Sequence, residues 1–150
     1  IKLVQTKRLE IKNIIIDDFG YVITNAFMSK AMQKGYDKFS EIGYSTFQLL
    51  DAVQHLREDL FCCVMMHTEI DAHGQYKPRT IGKMIDQYVV IEGKFTYVLH
   101  AIAAESAYKF LTNNDGQHMA KTPLGMFQDL TIDNDLALVK EAIYNYYNEV

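Results

Sequence analysis

Two acidic residues directly follow a run of three isoleucines near the start of the chain. Residues 14–16 are the isoleucines, and Asp17 and Asp18 come next. A short β-branched run without polar alternation is typical of a strand buried on both faces, as in parallel sheets. The tip of such a strand holds a carboxylate rigidly, so the carboxylate can fix Mg²⁺ beside nucleotide phosphates while a neighbouring acid orients the attacking water. The same pattern also occurs wherever a strand leaves the core for a turn, so both interpretations stand at this point.

A second apolar run, residues 60–66, also ends in polar side chains. His67, Thr68 and Glu69 follow it. In a parallel sheet the carboxyl ends of neighbouring strands meet at one edge, where functional residues collect. We therefore expect His67 and Thr68 to lie beside the two acids, in the place of a polar sensor for a terminal phosphate.

The same segment supports a different chemistry, because four possible metal ligands alternate along it. His67, Glu69, Asp71 and His73 would all project from one face of a strand and could bind zinc or manganese. Gly74 and the surrounding polar residues instead indicate a loop, in which this alternation has no geometric meaning. A metal-dependent hydrolase is therefore an alternative function, and a hydrogen-bonded histidine at a strand end is the simplest interpretation of His67.

The spacing of apolar residues predicts the elements that would position these side chains. Helices are expected over 25–34, 43–58 and 135–148, the last capped by Asp133, with a short helix over 81–87. Strands are expected over 88–91, 95–101 and 107–112, and loops over 70–80 and 113–133. Strands alternating with helices in the first half predict an α/β fold with a mainly parallel sheet flanked by helices.

Composition bounds the class of protein. The chain has 150 residues, 49% of them hydrophobic, and a net charge of -4, so we expect one globular domain without an extensive basic surface for nucleic acid. Its two cysteines, Cys62 and Cys63, are adjacent and form neither a disulfide framework nor a zinc knuckle. No apolar stretch of about 18 residues or signal peptide is present, and we expect a cytoplasmic protein with no membrane partner.

From residue 14 to residue 147 the sequence resembles the phage-encoded RecA-like P-loop nucleotide-binding proteins, including their single-strand annealing recombinase branch. The resemblance is carried by several short segments spread over nearly the whole chain. They are Ile14-Ile15-Ile16-Asp17-Asp18-Phe19, Gly35-Tyr36-Asp37-Lys38-Phe39, Glu41-Ile42-Gly43, His67-Thr68-Glu69, Thr80-Ile81-Gly82-Lys83-Met84, Lys121-Thr122-Pro123-Leu124-Gly125-Met126-Phe127 and Ile132-Asp133-Asn134-Asp135-Leu136.

The resemblance implies roles for individual residues. Asp17 would be the Walker B acid that holds Mg²⁺ and ATP, Asp18 would contact the nucleotide and activate water, and His67 and Thr68 would be sensors. The loop 70–80 would correspond to a mobile DNA-binding loop, to which Lys77 and Arg79 bring positive charge. Lys83 would add charge there or reach the nucleotide of a neighbouring subunit.

One part of the family pattern is missing, because no G-x-x-x-x-G-K-[ST] phosphate loop occurs in the 150 residues. In the family this loop precedes the Walker B strand, so we expect the N-terminal part of the ATPase core to be absent and this chain alone to hydrolyse ATP poorly or not at all. For the intact protein the resemblance implies an ATPase that forms homo-oligomers in the host cytoplasm and acts on single-stranded DNA in recombination or annealing. A nucleotide-dependent module that assembles with phage replication or recombination proteins, without binding DNA, is the second functional class.

Overall fold

A computed structural model describes residues 1–81, 85–104 and 106–148. The chain divides into two compact units. Unit 1 comprises Ile1–Glu69 and Pro78–Lys94, and unit 2 comprises Ile70–Lys77 and Phe95–Val150. Helices and strands occur in both units, which confirms the prediction of a mixed α/β fold.

Unit 1 is built around one parallel strand pair. Its elements in chain order are α1 (Lys2–Thr6), β1 (Asn13–Ile16), α2 (Phe19–Ser29), α3 (Asp37–Gln54), β2 (Phe61–Val64), a π-helical turn (Ile85–Val89) and a 3₁₀ helix (Ile91–Lys94). β1 and β2 pair in register, Asn13 opposite Phe61 and Ile16 opposite Val64. The predicted parallel connection between the two apolar runs is therefore present. The prediction that the isoleucine strand is buried on both faces is wrong, because Ile15 is 50% exposed on one face of β1 and Ile14 and Ile16 are only half-buried on the other.

The core of unit 1 forms where α2 packs against α3. Phe19 and Ile23, one helical turn apart, are buried on α2, while Ile42 and Leu50 are buried on α3 at matching helical spacing. The other buried apolar residues of this unit are Leu60, Ile85, Val89 and Ile91. Both helices are thus fixed by an apolar face, and only two residues separate the end of β1 from the start of α2.

Unit 2 contains a three-stranded antiparallel sheet. Its strands are β5 (His100–Ala104), β6 (Ala107–Leu111) and β7 (Thr131–Asp133), in the spatial order β5-β6-β7, and α4 (Leu136–Asn148) follows. His100 pairs with Leu111, and Phe110 pairs with Ile132. Leu111, Thr112, Ala120 and Val139 are its buried residues. The prediction of a mainly parallel RecA-like sheet goes beyond these pairings and remains a proposal.

The segment predicted as the loop 70–80 contains a second two-stranded sheet, β3 (Thr68–Ile70) and β4 (Tyr76–Pro78). A turn joins the two strands, in which the N–H of Asp71 donates to the carbonyl of Gln75 at 2.9 Å and Gly74 adopts a left-handed φ of 80°. Strands of three residues are too short to produce a readable alternation, so the sequence pattern showed only the turn.

Helix boundaries differ from the prediction at both ends, since α2 and α3 also end at Ser29 and Gln54 rather than at residues 34 and 58. α2 begins at Phe19 rather than residue 25, and α3 begins at Asp37 rather than residue 43. Residues 19–24 include a glycine and β-branched side chains, which have low helix propensity, but burial of Phe19 outweighs that preference. Tertiary packing therefore extends the helix back to the acidic turn.

Three further expectations in the second half are corrected. The strand predicted over 95–101 begins only at His100 and continues to Ala104. Residues 88–91, predicted as a strand, instead end the π-helical turn and begin the 3₁₀ helix, and residues 131–133 of the predicted loop form β7. The C-terminal helix is capped by Asp135, whose Oδ1 accepts the N–H of Ala137 at 2.7 Å. Asp133 lies at the end of β7, where it forms an ion pair with Lys109.

Candidate functional site

The acidic turn and the histidine lie at the same edge of the β1–β2 sheet. Because β1 and β2 are parallel and in register, Ile16 and Val64 end their strands side by side. The next residues are bonded across this edge: the N–H of Met65 donates to the carbonyl of Ile16 at 2.9 Å, and the N–H of Phe19 donates to the carbonyl of Met65 at 2.8 Å. The expected juxtaposition of the two strand ends is therefore found.

Asp18 adopts a left-handed backbone conformation, with φ 49° and ψ 63°. Aspartate tolerates this region better than most residues, although it is less favourable than for glycine. The conformation turns the chain sharply from β1 into α2, and fully buried Phe19 holds the turn from the helix side. Asp18 thus occupies the N-terminal boundary of an 11-residue helix, where the helix dipole favours negative charge.

The carboxylate of Asp18 faces the imidazole of His67. Oδ2 of Asp18 lies 3.2 Å from Nε2 of His67, and the side chains are 25% and 75% exposed, respectively. The carboxylate makes no capping hydrogen bond to the α2 amides. When His67 is protonated the contact is an ion pair, and when it is the neutral Nε2–H tautomer the carboxylate accepts a hydrogen bond from Nε2–H.

The remaining predicted residues of this edge are open to solvent. Asp17 is exposed between β1 and Asp18, and Thr68 is exposed at the start of β3. Mg²⁺ keeps several waters and takes one or two protein carboxylates together with substrate phosphates, so an exposed carboxylate beside a half-buried one offers oxygen ligands of the kind it prefers. Asp17 and Asp18 are therefore the residues that would hold Mg²⁺.

Of the predicted basic residues, Arg79 is tied directly to the histidine. Its backbone N–H donates to the carbonyl of His67 at 2.8 Å, and Arg79 as a whole is exposed to solvent. Lys77 is half-buried in β4 of unit 2. The prediction for Lys83 falls outside the described residues.

The alternative metal cluster is interrupted by a turn. The carboxylate oxygen Oδ1 of Asp71 accepts the N–H groups of Gln75 and His73, at 2.9 and 2.8 Å, and these bonds lower the pKa of Asp71. β3 ends at Ile70, so the alternation from His67 does not continue as one strand. In the ranges 1–81, 85–104 and 106–148, no group of three or more His, Cys, Asp or Glu side chains is arranged to hold a metal ion.

A second polar cluster lies in unit 2, and the sequence patterns did not single it out. Tyr76, His100 and His118 bring their rings together, with centroid distances from 4.6 to 5.3 Å, and Asp115 contacts His118. The available signal was the Asp-x-x-His spacing of residues 115 and 118, hidden within a segment predicted only as a loop.

Comparisons with protein-family models, with curated proteins and with solved structures find no match for this chain. The resemblance to RecA-like phage proteins therefore remains a prediction. Among the helices described, none is both long and apolar enough to cross a bilayer.

Proposed function

We propose that the acidic turn and the end of β2 form the metal and water side of a Mg²⁺–ATP site in a RecA-like phage ATPase that acts on single-stranded DNA. The observation that carries the proposal is the contact between Asp18 and His67, 3.2 Å apart at the carboxyl ends of two paired parallel strands. Ligands of α/β sheets bind at such edges.

The exposure of the two acids supports different roles for them. Asp17, exposed at the strand tip, would hold Mg²⁺ directly or through water, and the bound metal would neutralise charge on the phosphates. Asp18 is less exposed and is oriented by His67, so it is better placed to position and deprotonate an attacking water. His67 and Thr68, which follow β2 in the chain, would donate to the terminal phosphate.

The proposal assigns these residues only part of a nucleotide site. The 150 residues contain no G-x-x-x-x-G-K-[ST], whose backbone amides and lysine cradle the phosphates. We therefore expect negligible ATP hydrolysis from these residues alone. In the RecA-like core that we propose, β1 and β2 are two strands of the parallel sheet.

Single-stranded DNA, the second part of the proposal, would bind next to His67. The backbone N–H of Arg79 donates to the carbonyl of His67, which links this basic residue to the proposed sensor within unit 1, and Lys77 is included from its position in the sequence alone. A net charge of -4 means that such binding would depend on a local track and fall with added salt. We also propose that the protein forms homo-oligomers, associates with phage replication or recombination proteins, and acts in the host cytoplasm.

The test is ATP hydrolysis by the whole protein with and without single-stranded DNA. Asp17→Asn and Asp18→Asn should each lower the rate by at least about 100-fold, since each removes a charge that acts on the metal or the water. Asp71→Asn is the matched control, because its amide oxygen can still accept the two turn N–H groups. Equal rates for Asp17→Asn and wild type would refute the assignment.

The proposed binding of single-stranded DNA is tested separately with Lys77→Ala and Arg79→Ala. We expect basal hydrolysis to be retained and stimulation by DNA to be lost. ATP binding without any DNA binding or stimulation would instead identify a nucleotide-dependent interaction module. Zinc that survives dialysis of the wild type, and is lost in His67→Ala and His73→Ala, would identify the metal-dependent hydrolase.

A further inference from the structure

Three side chains of unit 2 contact one imidazole ring, that of His118. The ring of His118 stacks on Tyr76 of β4, with centroids 4.6 Å apart and planes 12° from parallel. His100, the first residue of β5, lies 4.6 Å from His118 and meets Tyr76 edge-on at 5.3 Å. All three residues are half-buried, so their contacts are partly shielded from solvent.

Asp115 fixes the orientation of His118. Its Oδ1 accepts the backbone N–H groups of His118 and Gln117, at 2.7 and 2.9 Å, and its Oδ2 lies 2.8 Å from Nδ1 of the His118 ring. These bonds hold the pKa of Asp115 well below its usual range, backbone donation from His118 contributing most. The loop therefore presents the ring in one orientation, with both carboxylate oxygens already engaged.

The same loop holds the end of the segment Ile70–Lys77. The backbone N–H of Tyr76 donates to the carbonyl of Gln117 at 2.8 Å, and the two histidine rings contact the tyrosine ring. One backbone bond and two ring contacts thus fasten this segment within unit 2.

We propose that Tyr76, His100, His118 and Asp115 form a proton-operated latch, which holds the segment Ile70–Lys77 in place at neutral pH and releases it when His100 is protonated. The proposal does not rest on nucleotide or DNA binding, although the segment that it concerns carries Lys77. It concerns the order of a short segment and not the chemistry at Asp18.

The proposed release on protonation follows from a shortage of negative charge around the two neighbouring imidazole rings of His100 and His118. Asp115 can neutralise one imidazolium through Oδ2, and it already faces His118. The groups facing His100 are Tyr76 from β4, Asp115 and His118 from the loop, and apolar Leu111 opposite it on β6. A charge on His100 would therefore be repelled by a charged His118 and poorly solvated.

The direction of the pH effect follows from burial. Burial lowers the pKa of His100, and the charge of His118 lowers it further, while Asp115 opposes them. A free histidine titrates near pH 6.5, so the released state binds protons more readily and the latch weakens as the pH falls through and below about 6.5. Asp115 also disfavours release, but its contribution is lost only as the pH falls below about 3.9, the usual carboxylate value.

Hydrogen exchange at the amide of Tyr76 measures the latch in the 150-residue chain. After correction for intrinsic rates, protection at Tyr76 should fall severalfold between about pH 7.5 and about pH 5.5. His100→Phe keeps an aromatic ring against Tyr76 but cannot be protonated, so its protection should stay constant over this range. His73→Phe, in the same segment and exposed, should behave as the wild type does.

Constant protection in the wild type, or an equal loss of protection in His100→Phe and the wild type, would overturn the proposal. If His100→Phe does not fold, a nuclear magnetic resonance titration of the wild type provides the test. The ring protons of Tyr76 should shift with the same midpoint as the imidazole protons of His100. Separate midpoints would show that protonation of His100 does not act on Tyr76.

Discussion

The backbone N–H of Phe19 donates a 2.8 Å hydrogen bond to the carbonyl of Met65, which joins the first residue of α2 to the first residue after β2. Phe19 is fully buried, so this bond is anchored by the core of unit 1. Asp18 immediately precedes Phe19, and His67 follows Met65 by two residues. Their contact is consequently a property of the backbone and core, and not only of two surface side chains.

Gly20 provides the space into which the Asp18 carboxylate fits. A Cβ at position 20 would lie 3.3 Å from Oδ1 of Asp18, tighter than an ordinary contact. Gly20→Ala should raise helix propensity by up to about 1 kcal/mol and yet displace the carboxylate from His67. We expect an unchanged or higher free energy of unfolding together with a shifted His67 imidazole resonance. Asn25→Ala, at an exposed position of α2, is the control. An unchanged His67 imidazole resonance in Gly20→Ala would contradict the prediction.

The hydroxyl of Thr112 satisfies backbone carbonyls inside unit 2. Thr112 is completely buried, and its Oγ1 lies 2.9 Å from the carbonyl of Asp129 and 3.2 Å from that of Leu130. Thr112→Val keeps the shape but removes the donor, so it should cost about 1–3 kcal/mol of unfolding free energy in urea denaturation. Thr112→Ser retains the hydroxyl and should cost only about 0.8 kcal/mol, the value of one buried methyl group. A valine variant as stable as the serine variant would rule out this role.

Arg57 binds the N-terminal segment of unit 1 to the end of α3. Its guanidinium donates to the backbone carbonyls of Val4, Leu9 and Ile11, and its own N–H donates to the Gln5 side chain at 3.0 Å. Loss of charged donors to these carbonyls should cost about 1.5–3 kcal/mol, and Arg57→Ala should expose residues 1–12 to proteolysis.

Arg57→Lys should restore this protection only in part, because one ammonium cannot reach three carbonyls in the geometry of a planar guanidinium. Arg8→Ala removes an exposed ion pair with Glu10 and should leave the cleavage rate unchanged. Equal cleavage of Arg57→Ala and Arg8→Ala would contradict the proposed role.

The two apolar runs predicted the parallel pairing of β1 and β2 correctly, but not their burial, because Ile15 is exposed and the other apolar residues of the two strands are only half-buried. The contact between Asp18 and His67 followed from that pairing and the rule for carboxyl ends. The early start of α2 could not be predicted, since Phe19 becomes buried only in the folded unit, where α2 packs against α3. β3, β4 and β7 have three residues each, too few to show a period. The ring cluster around His118 depends on Tyr76, His100 and a loop being brought together by folding, and no local pattern specifies that.

The parallel register of β1 and β2 also has a consequence during translation. Residues 17–60 separate the two strands, so β1 leaves the ribosome well before its partner has been made. Until then the isoleucine run is an unpaired hydrophobic segment, which is prone to associate with other nascent chains or to bind a chaperone. Native pairing has to wait for α2 and α3, and the two helices thus determine when the acidic turn first acquires its neighbour.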